Sequence, residues 1–109
     1  MNRIEIKPLS VNRCWQGRRF KTNEYKDYEK EALLKLKPLK IEGGKFSLLL
    51  RFGLSSKNFD IDNGVKPFVD ILQKKYGFND RYIYKLTVEK VDVKKGNEFI
   101  EFSLEEIEK

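Results

Sequence analysis

Asp60 and Asp62 stand two residues apart in the segment Asp60-Ile61-Asp62-Asn63-Gly64-Val65-Lys66. Where an extended chain turns into a helix, carboxylates at that spacing can point to the same side. Magnesium takes one or two carboxylates and fills its remaining positions with water and phosphate oxygens, so such a pair need not form a closed cage. A third carboxylate, Asp80, follows in the connector Asn79-Asp80. Three aspartates can hold two ions about 4 Å apart, one activating water and the other stabilising a leaving oxygen. Lys66, one helical turn after Asp62, suits neutralising a phosphate or orienting the attacking water. An aspartate before an apolar-periodic run is also the ordinary helix cap, and Lys66 and Asp70 have the spacing of a surface ion pair. Spacing alone leaves these uses open. A calcium loop is excluded, because its glycine position is Val65 and its twelfth position is Ile71.

The composition removes competing chemistries. There is no histidine and only one cysteine, Cys14. Ser-His-Asp and Cys-His nucleophiles, histidine zinc sites and intramolecular disulfides are therefore out. No phosphate-binding glycine loop occurs, so no nucleotide cofactor is expected. The longest apolar run is Leu48-Leu49-Leu50, far below the roughly 20 residues that span a bilayer. No signal-peptide pattern opens the chain, and a cytoplasmic protein with no membrane partner is expected. Cys14 reads as a small buried hydrophobe.

The net charge is +6 and unevenly spread. Residues 7 to 23 carry Lys7, Arg13, Arg18, Arg19 and Lys21 with no acid, whereas residues 98 to 109 carry five glutamates against one lysine. A basic cluster of this kind suits a polyanion, because neutralising phosphates releases counterions. Arg13, Arg18, Arg19 and Lys21 are the expected phosphate contacts. Trp15 or Phe20 is suited to stacking on exposed bases, and Trp15 equally to anchoring the loop. Asn12 can bond either the loop backbone or the surroundings of the carboxylates.

The elements that must position these residues follow from periodicity. Arg3 to Lys7 alternates as a short strand, and Pro8 to Lys21 has little periodicity. Thr22 caps a helix to about Lys37, with Tyr25, Tyr28, Ala32, Leu33 and Leu36 on one stripe. A central strand is expected at Lys45 to Phe52. A second helix starts near residues 60 to 63 and runs to Tyr76, with Val65, Phe68, Val69, Leu72 and Tyr76 inward and Gly77 as its stop. Tyr84 to Val93 and Glu98 to Leu104 alternate with period two, and Lys94-Lys95-Gly96-Asn97 suits a hairpin between them. The sum is one α+β domain over residues 1–109, a mixed sheet with two main helices in the order β-α-β-α-β-β.

The run Asp60-Ile-Asp-Asn-Gly-Val-Lys, an apolar helix, then Tyr76-Gly77-Phe78-Asn79-Asp80 resembles the signature of the RusA family of Holliday-junction resolvases. Pro8-Leu9-Ser10-Val11-Asn12, followed by Arg13, is similar to that family's N-terminal P-x-S-x-N element, and the likeness runs through nearly the whole chain in the same order. The resemblance implies a homodimeric crossover junction endodeoxyribonuclease of a bacterium or its phage, which nicks four-way DNA junctions in paired, symmetric fashion during recombination and repair. It implies magnesium as cofactor, with manganese able to substitute. It implies Asp60, Asp62 and Asp80 as metal-binding carboxylates and Lys66 as the functional lysine. Two departures stand out. Lys57-Asn58-Phe59 replaces the arginines often found before the first aspartate, and Asn79 replaces the acid often found before the last. The alternatives are a non-catalytic DNA-binding protein using the same basic loop and a nuclease acting on flaps or single strands.

Overall fold

The computed structural model describes residues 1–18 and 20–107. Thr22 starts the first helix: its side-chain oxygen accepts the Tyr25 N–H at 3.1 Å, satisfying one of the donors that a first turn leaves open. Helix α1 (Asn23–Lys35) then buries Tyr25, Tyr28 and Ala32. Helix α2 (Val65–Tyr76) buries Phe68, Val69, Ile71 and Leu72. It carries Pro67 in its first turn, where a missing N–H breaks no intrahelical bond. At its end Gly77 adopts φ 73° and closes its N–H on the Gln73 carbonyl, a left-handed cap that glycine takes without steric cost. This helix begins later than its sequence suggests. Asp60 to Gly64 form turns, closed by Asn63 N–H to Asp60 C=O at 3.0 Å and Val65 N–H to Asp62 C=O at 3.2 Å.

The strands are β1 (Asn2–Ile4), β2 (Trp15–Gln16), β3 (Phe20–Lys21), β4 (Phe46–Leu54), β5 (Ile83–Asp92) and β6 (Phe99–Glu106). The main sheet runs β1-β6-β4-β5, while β2 and β3 pair by themselves as a small hairpin inside the segment that lacks periodicity. The chain is thus α+β, with β1, α1, β4, α2, β5 and β6 following the expected order. Strand β4 is central, and Phe46, Leu48, Leu50 and Phe52 alternate inward from it. Leu48, Leu50 and Phe52 share one core with Ile100 and Phe102 of β6 and with the inward faces of both helices, while Phe46 packs against Phe78. Phe68 meets Phe102 edge-on at 5.8 Å between ring centroids.

The expected hairpin between the last two strands does not form. Strand β5 lies parallel to β4 on one side, and β6 lies antiparallel to β4 on the other. A strand, a helix and a strand in succession make a crossover unit that sets its two strands parallel. The inner position goes to β6 because Phe99, Ile100 and Phe102 are buried there, whereas β5 is mostly exposed. The turn at Lys94–Asn97 survives, with Asn97 N–H on the Lys94 carbonyl, but it leads past the end of β4.

The sheet face away from the helices carries a row of alternating charge. Arg3, Glu101, Arg51 and Glu89 lie in register across β1, β6, β4 and β5. Arg51 reaches Glu101 at 3.3 Å and Glu89 at 2.9 Å. No helix among the described residues is long and apolar enough to cross a membrane.

Candidate functional site

The turn bearing Asp60 and Asp62 is fastened from two directions. The Lys90 ammonium of β5 donates to the Phe59 carbonyl at 2.9 Å. The Val11 N–H donates to the Asn63 carbonyl at 2.8 Å, which joins Pro8-Leu9-Ser10-Val11-Asn12 directly to the aspartate turn. Gly64, buried at the end of that turn, leaves space for the rings of Phe52 and Phe59, which a Cβ would meet at 3.2 and 3.3 Å. Two segments far apart in sequence therefore form one fixed unit on the core.

Asp60 and Asp62 are exposed. Among the described residues, neither carboxylate takes part in a hydrogen bond or ion pair. Neither caps α2, whose cap position is Gly64 with no side-chain bond. Among the described residues the ordinary structural use of these aspartates is thus absent, and their oxygens have no partner there.

Asp80 is differently held. It opens a single 3-10 turn (Asp80–Tyr82), and its N–H is fixed by the Gln73 side-chain carbonyl at 2.8 Å. Lys66 donates to Asp70 at 2.8 Å and approaches Asp80 at 3.6 Å. The hydrogen bond to Asp70, and then the charges of Asp70 and Asp80, push the Lys66 pKa up. Lys66 and Asp80 line a shallow hollow of about 260 Å³ with Val65, Val69, Ile83 and Leu86. The structure therefore unites Lys66 with Asp80, as well as with the neighbour that spacing suggested, Asp70. Among the described residues no group of three acidic or cysteine side chains is gathered closely enough to hold a metal ion. Magnesium does not require one: the free Asp60–Asp62 pair offers the hard oxygen donors that suit it.

The basic segment is ordered by pairing. The Ser10 hydroxyl accepts the Asn12 N–H, and the Thr22 hydroxyl donates to the Arg13 carbonyl at 2.7 Å. Cys14 is buried between them, and burial pushes its thiol up to about 11. Arg13 lies 3.3 Å from Glu24. Lys21 pairs with Glu29 at 3.0 Å, and Glu29 also receives Lys74 at 2.9 Å. Trp15 packs edge-on against Tyr25 at 5.8 Å while keeping 45% of its surface exposed. Phe20 is 72% exposed. Arg18 is exposed, and Arg19 lies outside the described residues. Asn12 lines a cleft of about 570 Å³ with Ser10, Asn58, Phe59 and Asn63, so it belongs to the surroundings of the aspartate turn. Gln73, Asn58 and Lys90 carry no sequence signal for these positions, since each is recognisable only by what it touches.

In comparison with known proteins, the chain matches no protein-family model and no curated protein.

Proposed function

We propose that this protein is a magnesium-dependent DNA endonuclease that acts on branched DNA, with the four-way junction as its preferred substrate. The reading is supported chiefly by two carboxylates, Asp60 and Asp62, that have no partner among the described residues and stand on a turn to which the basic N-terminal segment is hydrogen-bonded. Asp60 and Asp62 would hold the ion, with Asp80 nearer to Lys66. A bound divalent cation supplies water activation and charge stabilisation at the phosphorus. Lys66 brings a positive charge beside Asp80, where it offsets carboxylate repulsion and attracts a phosphate. Arg18 and Phe20, both exposed on the small hairpin, offer a phosphate contact and a stacking surface. The order of motifs along the chain, similar to that of junction resolvases, supports the branched substrate. The two-fold symmetry of such a junction suits a homodimer with two equivalent sites.

A second reading, a DNA-binding protein without catalysis, is favoured by one observation. Lys66 sits on Asp80, and the three aspartates do not converge among the described residues. One assay separates the two. Wild type and Asp62→Asn are incubated with a labelled four-way junction and magnesium. Paired nicks are expected from the wild type, and a loss of about 10²-fold or more in the variant. Junction binding should be retained or tightened in the variant, because a negative charge near phosphate has gone. No magnesium-dependent cleavage by the wild type would leave the binding protein as the correct description. Competition with flap, single-stranded and linear duplex DNA distinguishes a nuclease of other specificity.

A further inference from the structure

Strand β5 is 10 residues long and pairs with β4 along one side only. Its outer side is a sheet edge whose backbone donors and acceptors meet no other strand among the described residues. The opposite edge of the sheet, β1, has only 3 residues. Long open edges attract further strands, and folded proteins generally cover them or match them to a partner. Along this edge Leu86 is 47% exposed and, with Val65, Val69 and Ile83, forms the apolar part of the hollow that Lys66 and Asp80 also line. On the other face, the charge row Arg3–Glu101–Arg51–Glu89 reaches the edge on an acid. Lys85 shares that face and has no acidic partner among the described residues.

From this pattern we propose that the outer edge of β5 is the surface through which two copies of the chain join, antiparallel, about a two-fold axis at Thr87. In a two-fold antiparallel pair, facing residues must lie on the same face of the sheet, so only registers centred on a residue are allowed. The register centred on Thr87 is the one that sets Lys85 opposite Glu89 of the partner subunit, and symmetry repeats that pair. The charge row then continues across the junction instead of ending. The same register sets Leu86 opposite Val88 on the helix side. Centring on Lys85 or Glu89 would face like charges, which destabilises a strand pair. Centring on Val88 would face Leu86 with Lys90. The two four-stranded sheets become one continuous sheet.

The inference deepens the homodimer of the reading above by naming its interface, and it is argued from the sheet edge and its neighbours, not from Asp60 and Asp62. Light scattering on the full chain should show a dimer. Lys85→Glu should raise its dissociation constant by about tenfold or more, and Lys85→Glu with Glu89→Lys should bring it back toward the wild type. Because Glu89 also binds Arg51, a second measurement avoids charge altogether. Facing residues on antiparallel strands have Cα atoms about 4.5–5.5 Å apart, within disulfide reach. Thr87→Cys should therefore form a covalent dimer on mild oxidation, faster than Lys85→Cys or Glu89→Cys, while the native Cys14 is buried. A wild type that stays monomeric at its highest soluble concentration overturns the proposal. So does faster cross-linking through residue 85 or 89. A monomer that still nicks junctions in magnesium would remove this interface and keep the nuclease, and a Thr87-linked dimer without cleavage would do the reverse.

Discussion

Lys66 is the residue whose surroundings decide most about the site. It is 63% exposed along its side chain and shared between Asp70 and Asp80. Exposed pairs contribute little to folding, because solvent screens them and ordering two long side chains costs entropy. Lys66→Gln should therefore change the unfolding free energy by less than about 1 kcal/mol. If its charge acts on phosphate, the same variant should cut junction cleavage by about 10-fold to 100-fold, read as single-turnover rate with the melting curve as control. Unchanged cleavage would reduce Lys66 to a surface ion pair. Asp60 and Asp62 invite the opposite inference. An aspartate at a helix start is ordinarily engaged by the first-turn N–H groups, and here neither is.

Glu29 is the tie between elements. It lies on α1 and holds Lys21 of the hairpin strand β3 together with Lys74 of α2. Burial acts to raise its pKa, but Lys74 and Lys21 outweigh that and keep the carboxyl below its ordinary value of 4.5. A depressed folded-state pKa contributes stability above the unfolded value, and that stability disappears as pH falls through the folded one. Glu29→Gln should cost on the order of 1 kcal/mol at neutral pH. Its melting temperature should approach that of the wild type below pH 4.5, where the carboxylate's contribution fades. A gap constant with pH would mean that the ion pairs do not stabilise the fold. The contact between β4 and β6 is a matter of packing instead. Gly53 faces Phe99, and a Cβ there would lie 2.3 Å from the ring. Gly53→Ala should destabilise by about 1–3 kcal/mol. Part of that loss should be recovered in Gly53→Ala/Phe99→Ala, since residues in contact are not additive. Urea denaturation of the two single variants and the double variant measures it.

For the whole molecule, the proposed function makes the charge distribution the feature that would set how DNA is met. The net charge is +6, yet two members of the basic segment are already engaged: Arg13 by Glu24 and Lys21 by Glu29. Arg18 is exposed after the first strand of the small hairpin, and Phe20 is exposed on its second strand. Junction affinity should fall steeply with salt, with a log–log slope of about −0.9 for each phosphate contacted. Arg18→Ala should make that slope shallower by about 1. Lys21→Ala should lower stability more than it changes the slope, because its ammonium is committed to Glu29. Equal slopes for wild type and Arg18→Ala would move the DNA contact away from the hairpin.

Much of this architecture is local and so was legible in the residues themselves. Thr22 caps α1, Gly77 ends α2, and the apolar run from Phe46 through the three leucines marks β4 as a central strand; each rests on neighbours in the chain, although burial falls on alternate residues up to Phe52 and not on both faces. The absence of histidine and the Asp60-x-Asp62 spacing likewise narrowed the chemistry before any contact was known. Pairing partners were not legible, because they depend on segments far apart in sequence. The turn at Lys94–Asn97 is sound, yet β5 and β6 take opposite sides of β4, since burial of Phe99, Ile100 and Phe102 outweighs the short-range preference for a hairpin. The start of α2 lies at Val65 for a related reason: Asn63 gives its carbonyl to Val11, and the chain before it closes turns from Asn63 to Asp60 and from Val65 to Asp62. Residue types, together with the resemblance to junction resolvases, singled out Asp60, Asp62, Asp80 and Lys66 as the candidates for chemistry. Only the tertiary structure decided that Lys66 lies with Asp80 while Asp60 and Asp62 have no partner among the described residues, because side-chain neighbours across a turn and a helix are set by packing on the core.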